Sequence, residues 1–596
     1  MFETKELEAA GLPSPRSVVL LGDSQMTPED RRLIQILDFF EVSWLSFSFN
    51  EVKLDGREGK YAVVTSAVRL SKAIQDTAVM PSWLASASSV YVYGFHEDDA
   101  STKLLRMLTG GPQAKVRPVP TGETKMTVAI DFPEMCGPMS GMQVPATLHE
   151  PVFVFDRGRH ETFQSIIQTD QGELFFGVRY RGVQFYLNTF NRTIDISNLA
   201  VSYFDVKTSF CEADPLVFYL SWAFGSAASS RRETSACLIV DDPPLKRRYG
   251  FLDFREALGL MDRNNFSMTI AFIPWNWQRN DPETLRLFQS HPEKLSVVVH
   301  GCDHTTSEFA ARSSAVLNRM IQTSIQRMES LQRNAAIEAD RVMIFPQGEF
   351  SAETGRALKL NGFVAAVNTE IAPVDPAANE TTIADLWNVA IMKYGTFPIF
   401  TRRYVHHGIE NFAFDALLGK PCLIASHHEI FRNHAGNLVD LVARLNSLQW
   451  NLVWRPLSQV VRRSAKIRHL ADGTRVVRIF ASSSLVETPD TKTTLLLKQE
   501  SDPNGVHAVY VNETPTVFSV EGGYLRAWLA QTQGETASIR VVYRNNLEAV
   551  GNGDTSGSRM KVAAKRYLSE FRDNYLSRSD FLYKSVNRLK RRSISS

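Results

Sequence analysis

Between residues 232 and 463 the chain alternates short apolar runs with segments of helical apolar spacing, and this alternation constrains the fold more than any other feature. The apolar runs fall at 237–240, 267–273, 295–299, 341–345, 364–367, 389–392, 422–426 and 452–454. Parallel strands cannot be joined by tight turns and need crossover helices, so strand-length runs separated by amphipathic helices read as β/α units. Seven or eight such units over about 230 residues predict a (β/α) barrel, whose strand ends gather on one face.

The flanks follow other periods. The 596-residue length calls for more than one domain. Over 15–115, a buried strand at 17–23, a helical pattern at 28–40 and apolar strands at 61–65 and 89–93 predict a small α/β domain. It is similar at fold level to flavodoxin-like and glutamine-amidotransferase-like domains, which carries little about function. From 116 to 231 the period shifts to two, most clearly at 177–186, giving a β-rich segment that completes the first domain or stands beside it. A further all-β region, 464–546, has turn signals at Asp472-Gly473 and Asn504-Gly505 and predicts a sandwich-like domain. Residues 547–596 read as a linker, Gly-rich at 551–558, and a basic amphipathic tail. The fold class is therefore α/β multidomain: a central distorted barrel, an N-terminal α/β domain with a β-rich extension, a C-terminal β domain and a helical tail.

Composition narrows the partners. With 44% hydrophobic residues, 22% charged residues and a net charge of +2, the chain as a whole has no polyanion-binding character, and no nucleic acid is expected. Lys561–Ser596 nevertheless holds ten Lys/Arg against three Asp/Glu, +7, which leaves −5 for the rest. In it Leu568, Phe571, Tyr575 and Leu582 stand at roughly helical spacing, as in a membrane-surface or partner-binding helix, or in a helix packing one face on its own protein. The five cysteines (Cys136, Cys211, Cys237, Cys302, Cys422) are scattered without a C-x-x-C pair, so no disulfide framework is expected. No apolar run reaches the length of a membrane span, and residues 1–15 lack the pattern of a secretory signal. A cytoplasmic location is expected, with peripheral attachment at the inner membrane face through the basic tail as an extension of it.

Three barrel runs end in ionisable residues: Asp241-Asp242, His300-Gly301-Cys302-Asp303-His304, and His427-His428. Two imidazoles and a carboxylate suit a borderline divalent cation and leave a position open for water and substrate. The pattern predicts Asp242, His300 and His304 as ligands, Asp241 as general base and His427 as general acid, with His428 as its competitor. Trp275 and Trp277, after the second run, and Trp387, before the sixth, are candidates to line the barrel mouth and stack on sugar faces, or else ordinary packing aromatics.

These residues resemble the motifs of the NodB-type polysaccharide deacetylases, a metal-dependent family of distorted (β/α)7 barrels. Ile239-Val240-Asp241-Asp242 resembles the family's T-F-D-D. His300-Gly301-Cys302-Asp303-His304 resembles H-[ST]-x-x-H, with Gly in the hydroxyl position. Ile344-Phe345-Pro346-Gln347-Gly348 resembles R-x-P-x-G, with Ile344 in place of the Arg that orients the base. Ile424-Ala425-Ser426-His427 resembles the late Leu-x-x-His. The resemblance implies a hydrolase of the acetamide of an N-acetylated sugar, oligosaccharide or polysaccharide precursor, with a divalent metal, zinc first among the candidates, as the cofactor and Pro346 and Gly348 at the substrate. Arg402 or Arg403, after another apolar run, are candidates to supply the missing guanidinium.

Two other functions fit the same chain. A catalytically inactive carbohydrate-binding or scaffold protein accounts for the absent motif Arg. A glycoside hydrolase of the same barrel superfamily needs two carboxylates, for which Asp241, Asp303, Glu308 and Glu349 are candidates. Leu20-Leu21-Gly22-Asp23-Ser24 resembles the first block of GDS-type lipases, but no D-x-x-H block follows. Cys136 and His406-His407 read as structural or rim residues.

Overall fold

The computed structural model describes residues 17–578 apart from 23–25, 49–60, 75–79, 149–151, 157–162, 191, 201, 226–232, 311–312, 376–378, 449, 471, 489–492, 530–535 and 546–555. Ser24, most of the proposed linker, and Leu582 with the end of the basic tail lie outside them.

The central region is a parallel barrel sheet. Its strands are β1 (Thr234–Asp241), β2 (Met268–Phe272), β3 (Leu295–His300), β4 (Ala339–Ile344), β5 (Ala365–Asn368), β6 (Ile399–Thr401), β7 (Arg403–Tyr404) and β8 (Cys422–Ser426), paired in the order β6-β5-β4-β3-β2-β1-β8-β7. Only Arg402 separates β6 from β7. One extended segment therefore pairs with β5 through its first half and with β8 through its second, and the sheet nearly closes on itself. Leu452–Trp454 pairs with the start of β1.

The sixth stave corrects the sequence reading. The run 389–392 is buried but forms no strand; it folds back antiparallel, with a single bridge from Ile391 to Ile399. Trp387 moves with it. It ends a short helix, Ile383–Trp387, and is 1% exposed, with edge contacts to Phe39, Phe204 and Phe414. The ring is core packing, enclosed by those three rings, and does not line the mouth.

Local chemistry sets the crossover helices. Asp253 caps Phe254–Asn264 by accepting from the N–H groups of Arg255 and Glu256, and Asp281 caps Pro282–Ser290, whose first position is Pro. In the barrel lumen, Cys237, Ile239, Ala271, Val298, Val342, Ile344, Val367, Phe400 and Leu423 form one apolar cluster. They alternate along their strands, so the next lumen-facing positions toward the C-terminal ends are Asp241, His300, Arg402 and His427, joining Ile344. Period two alone thus places four polar groups above an apolar floor.

The N-terminal parallel strands Ser43–Ser48, Ser17–Gly22, Tyr61–Ser66 and Val90–Tyr93 continue through Val183–Asn188 into the antiparallel β-rich segment, as one sheet. Residues 465–543 form two sheets whose facing residues, among them Val477, Leu496, Val486 and Ile539, share a core. The basic tail begins as a helix, Ser556–Asn574, laid against the barrel.

Trp387→Ala is expected to destabilise the barrel by about 3–5 kcal/mol through the cavity it leaves. Urea unfolding followed by circular dichroism checks this, and an unshifted midpoint would count against the core placement.

Candidate metal and catalytic site

The strand ends bring Asp241, Asp242, His300, His304, Arg402 and His427 to one face of the barrel. Asp242 lies one residue past β1 with φ +84°, and His304 has φ +55°, both in the left-handed region that costs a side-chain-bearing residue about 1–3 kcal/mol. The bends turn both side chains to a common point. Asp242 Oδ1 lies 3.5 Å from His300 Nε2 and 3.1 Å from His304 Nε2. One ligand atom from each of the three residues falls within 4.8 Å of the others.

The tautomer of His300 shows what this point is suited to. Its Nδ1 is 2.9 Å from the carbonyl oxygen of Ile344. A carbonyl only accepts, so Nδ1 carries a proton, and the neutral ring then turns the Nε2 lone pair toward Asp242. Asp242 Oδ1 is buried and has no hydrogen-bond partner among the described residues. Acceptors facing one another in a buried site repel unless a cation sits among them, and the O, N, N donor set fits a divalent metal.

Asp241 has a different partner. Arg402 donates Nη1 to Oδ1 at 2.7 Å and Nη2 to Oδ2 at 2.6 Å, a bidentate and buried pair. Burial pushes the carboxyl up, but the Arg402 charge and its two bonds outweigh it and bring Asp241 below its ordinary value. Of the two arginine candidates, Arg402 meets Asp241, while Arg403 points out of the lumen and pairs with Asp415 at 2.6 Å. The alternation along one extended segment separates them.

The two adjacent histidines separate for the same reason. The register pairing Val240 with Ser426 sets His427 beside Asp241, and His427 is exposed at the mouth. His428 is buried on the outer side against Tyr249 and Phe251, with Nε2 3.8 Å from Asp573 of the C-terminal helix. Gly250 lies so close that a Cβ there would stand 2.2 Å from His428 Nδ1.

Several supports were not legible in the sequence. The Glu308 carboxylate accepts the N–H groups of Cys302, Asp303 and His304 at 3.1, 2.7 and 3.2 Å and ties down the ligand loop. Gly301, in the position of the family's hydroxyl residue, has φ +69°, and a Cβ there would stand 2.5 Å from Glu308 Oε2 and 2.4 Å from Pro346 Cγ. The loop is thus held by a carboxylate that fills the space of the missing side chain. Arg566 donates to the His304 carbonyl at 3.2 Å from 262 residues away. No local spacing signals such partners; an acidic residue four positions after His304 is all the sequence offers for Glu308.

The other candidates are placed as follows. Trp275 is half-buried beside the ligand loop, its backbone N–H donating to the Cys302 carbonyl at 3.1 Å and its ring edge-on to Tyr567 at 5.9 Å. Trp277 packs partly against the core. Pro346 and Gly348 are buried and shape the turn after β4, where Gly348 has φ +75° and its carbonyl accepts from Asn368. Asp303 is engaged by Arg327 at 2.6 Å, and Glu308 by the loop backbone, so neither is placed as one of a pair of free carboxylates.

Among solved structures the chain is similar to Agd3, described as a novel carbohydrate deacetylase, at 9% identity over 89% of this chain and 98% of that one, with a TM-score of 0.46. A putative polysaccharide deacetylase from Mycobacterium smegmatis matches 39% of this chain and 90% of its own at 15% identity and TM-score 0.28. A family 4 carbohydrate esterase from Streptomyces lividans, in complex with acetate, matches 36% and 87% at 16% identity and TM-score 0.22. The solved structures it resembles include carbohydrate deacetylases. No protein-family model matches the chain, and no curated protein matches it in sequence.

Two outcomes are expected at this site. Gly301→Ser, which adds the family's hydroxyl, should weaken metal retention about 10–100-fold, as loss of an outer support does; competition with a chromophoric chelator measures it. Arg402→Ala should destabilise the fold by about 3–5 kcal/mol, because it strands a buried carboxylate. Unfolding midpoints of Arg402→Ala and Arg403→Ala compared with Asp241→Asn/Arg402→Ala separate that stranded charge from lost packing.

Proposed function

We propose that the barrel is a metal-dependent hydrolase that removes acetyl groups from an N-acetylated carbohydrate. The observation that carries this reading is the convergence of Asp242, His300 and His304 around one point, with Asp241 and His427 beside it on the open face. A divalent cation held there, zinc by the character of its donors, would supply Lewis-acid polarisation of the acetamide carbonyl and acidify the attacking water.

The protein's own groups supply the proton transfers. Asp241, kept ionised and oriented by the Arg402 fork, accepts the proton of the attacking water. His300 is fixed in its ligating tautomer by the Ile344 carbonyl, so the residue in place of the motif Arg serves through its backbone. His427, neighbour to Asp241 across the β1–β8 register, donates a proton to the departing nitrogen. Acetate and the free amino sugar leave. Arg402 also weakens the inactive-scaffold reading, since a guanidinium holds the base even though Ile344 carries none.

Asp241→Asn should keep its metal and lose at least about 100-fold in turnover, the scale of general-base catalysis. His300→Ala/His304→Ala should lose both. Elemental analysis and acetate release from a panel of N-acetylated oligosaccharides measure the two; full activity in Asp241→Asn would overturn the assignment of the base, and a metal-loaded enzyme that releases no acetate from any of them would overturn the reaction.

A further inference from the structure

The C-terminal helix Ser556–Asn574 is amphipathic in the reverse of the usual sense. Amphipathic helices on globular proteins turn their apolar stripe to the core. This one docks by its polar face. Arg566 reaches the His304 carbonyl, Glu570 pairs with Lys246 and Arg279, Asp573 accepts from Tyr249, and Asn574 accepts the N–H of Gly250. Against the effect of burial, His428 beside it and the two bonds from Arg572 hold Asp573 down to about 2, so this docking face keeps its charge.

The opposite face is apolar and open. Met560 is 72% exposed, Tyr567 56%, Leu568 68%, Phe571 53% and, just past the helix, Tyr575 66%. At 3.6 residues per turn these five positions fall within an arc of about 100°, one continuous stripe. Monomeric proteins seldom expose contiguous apolar surface of this kind without a use for it. Exposed Lys561 and part-exposed Lys565, which also donates to Thr306, stand along one edge of the stripe. From residue 578 to 596 the sequence adds Arg578, Lys584, Arg588, Lys590, Arg591 and Arg592 against Asp580 alone, a net +5.

We propose that this helix face is a docking surface for an anionic lipid bilayer. An apolar stripe bearing aromatic rings, flanked by cations and followed by a basic segment, is the chemistry of a helix that lies in a membrane interface: rings and Leu enter the acyl boundary while Lys and Arg meet phosphate headgroups. The basic surplus decides between lipid and a second copy of the chain. Two copies meeting through this face would bring like charges together, whereas an anionic surface is complementary to them. No described helix is long and apolar enough to cross a membrane, so the contact is peripheral. The ionic docking face ties the same helix to the ligand loop through Arg566, which sets the barrel mouth beside the bilayer.

The test uses the full chain and vesicles, with no reaction involved, so its failure and the failure of the deacetylase reading are separate results. Flotation with vesicles of phosphatidylglycerol and phosphatidylcholine in equal parts should carry the protein to the lipid layer. Pure phosphatidylcholine vesicles, or high salt, should leave most of it behind. Leu568→Glu/Phe571→Glu alters only exposed positions and should keep its circular dichroism and metal content while losing at least about tenfold in lipid partitioning. Wild type that stays out of the lipid layer with anionic vesicles overturns the proposal, as does a double variant that floats equally well. A wild-type dimer in sedimentation that the double variant abolishes also overturns it, assigning the face to a second copy.

Discussion

The barrel closes through one extended segment, 399–404, that changes partners at Arg402, and the site depends on that change. Before it the segment pairs with β5, after it with β8, so the residue at the crossover faces the lumen where the two edges of the sheet meet. Its guanidinium then spans to Asp241 at the end of β1. A buried ion pair of this geometry does little for net stability, since desolvation opposes it, but it leaves each partner intolerant of losing the other. Closure of the sheet and orientation of the Asp241 carboxylate are one interaction.

The neighbouring substitutions follow from it. With a guanidinium arriving from 402, position 344 need not carry one, and Ile344 instead continues the apolar lumen while its carbonyl holds His300. With Glu308 binding the ligand loop through three backbone N–H groups, position 301 needs no hydroxyl and has no room for a side chain. At both positions the space or the contact is taken by a group from another part of the chain. The left-handed backbone at Asp242 and His304 is local strain that these supports hold in place.

The C-terminal helix extends this dependence to the far end of the chain. It turns three charged residues to the barrel, where Glu570 and Asp573 meet cationic and hydroxyl partners and Arg566 meets the carbonyl of His304. Its apolar residues are thereby left outward. A basic, amphipathic tail was legible from composition and spacing; which face it would turn inward was not, because that depends on the ions the barrel presents.

Period and residue type determined the barrel and its polar strand ends, since alternation is a local property of the backbone, but they left His427 and His428 as competitors, which the register of β8 against β1 separated. The same reasoning misplaced the sixth stave at 389–392 and Trp387 with it, because an apolar run records burial and does not distinguish a lumen strand from a packed return. Between Arg402 and Arg403 the sequence left both open, and only the register of one segment against β8 separated the arginine of the site from the arginine of the Asp415 pair. Glu308, Arg566 and the Ile344 carbonyl lie further still from what sequence can show. The chain determined which groups could bind a metal, and the tertiary structure decided what holds them, because support comes through contacts across tens to hundreds of residues and through backbone atoms that every residue shares.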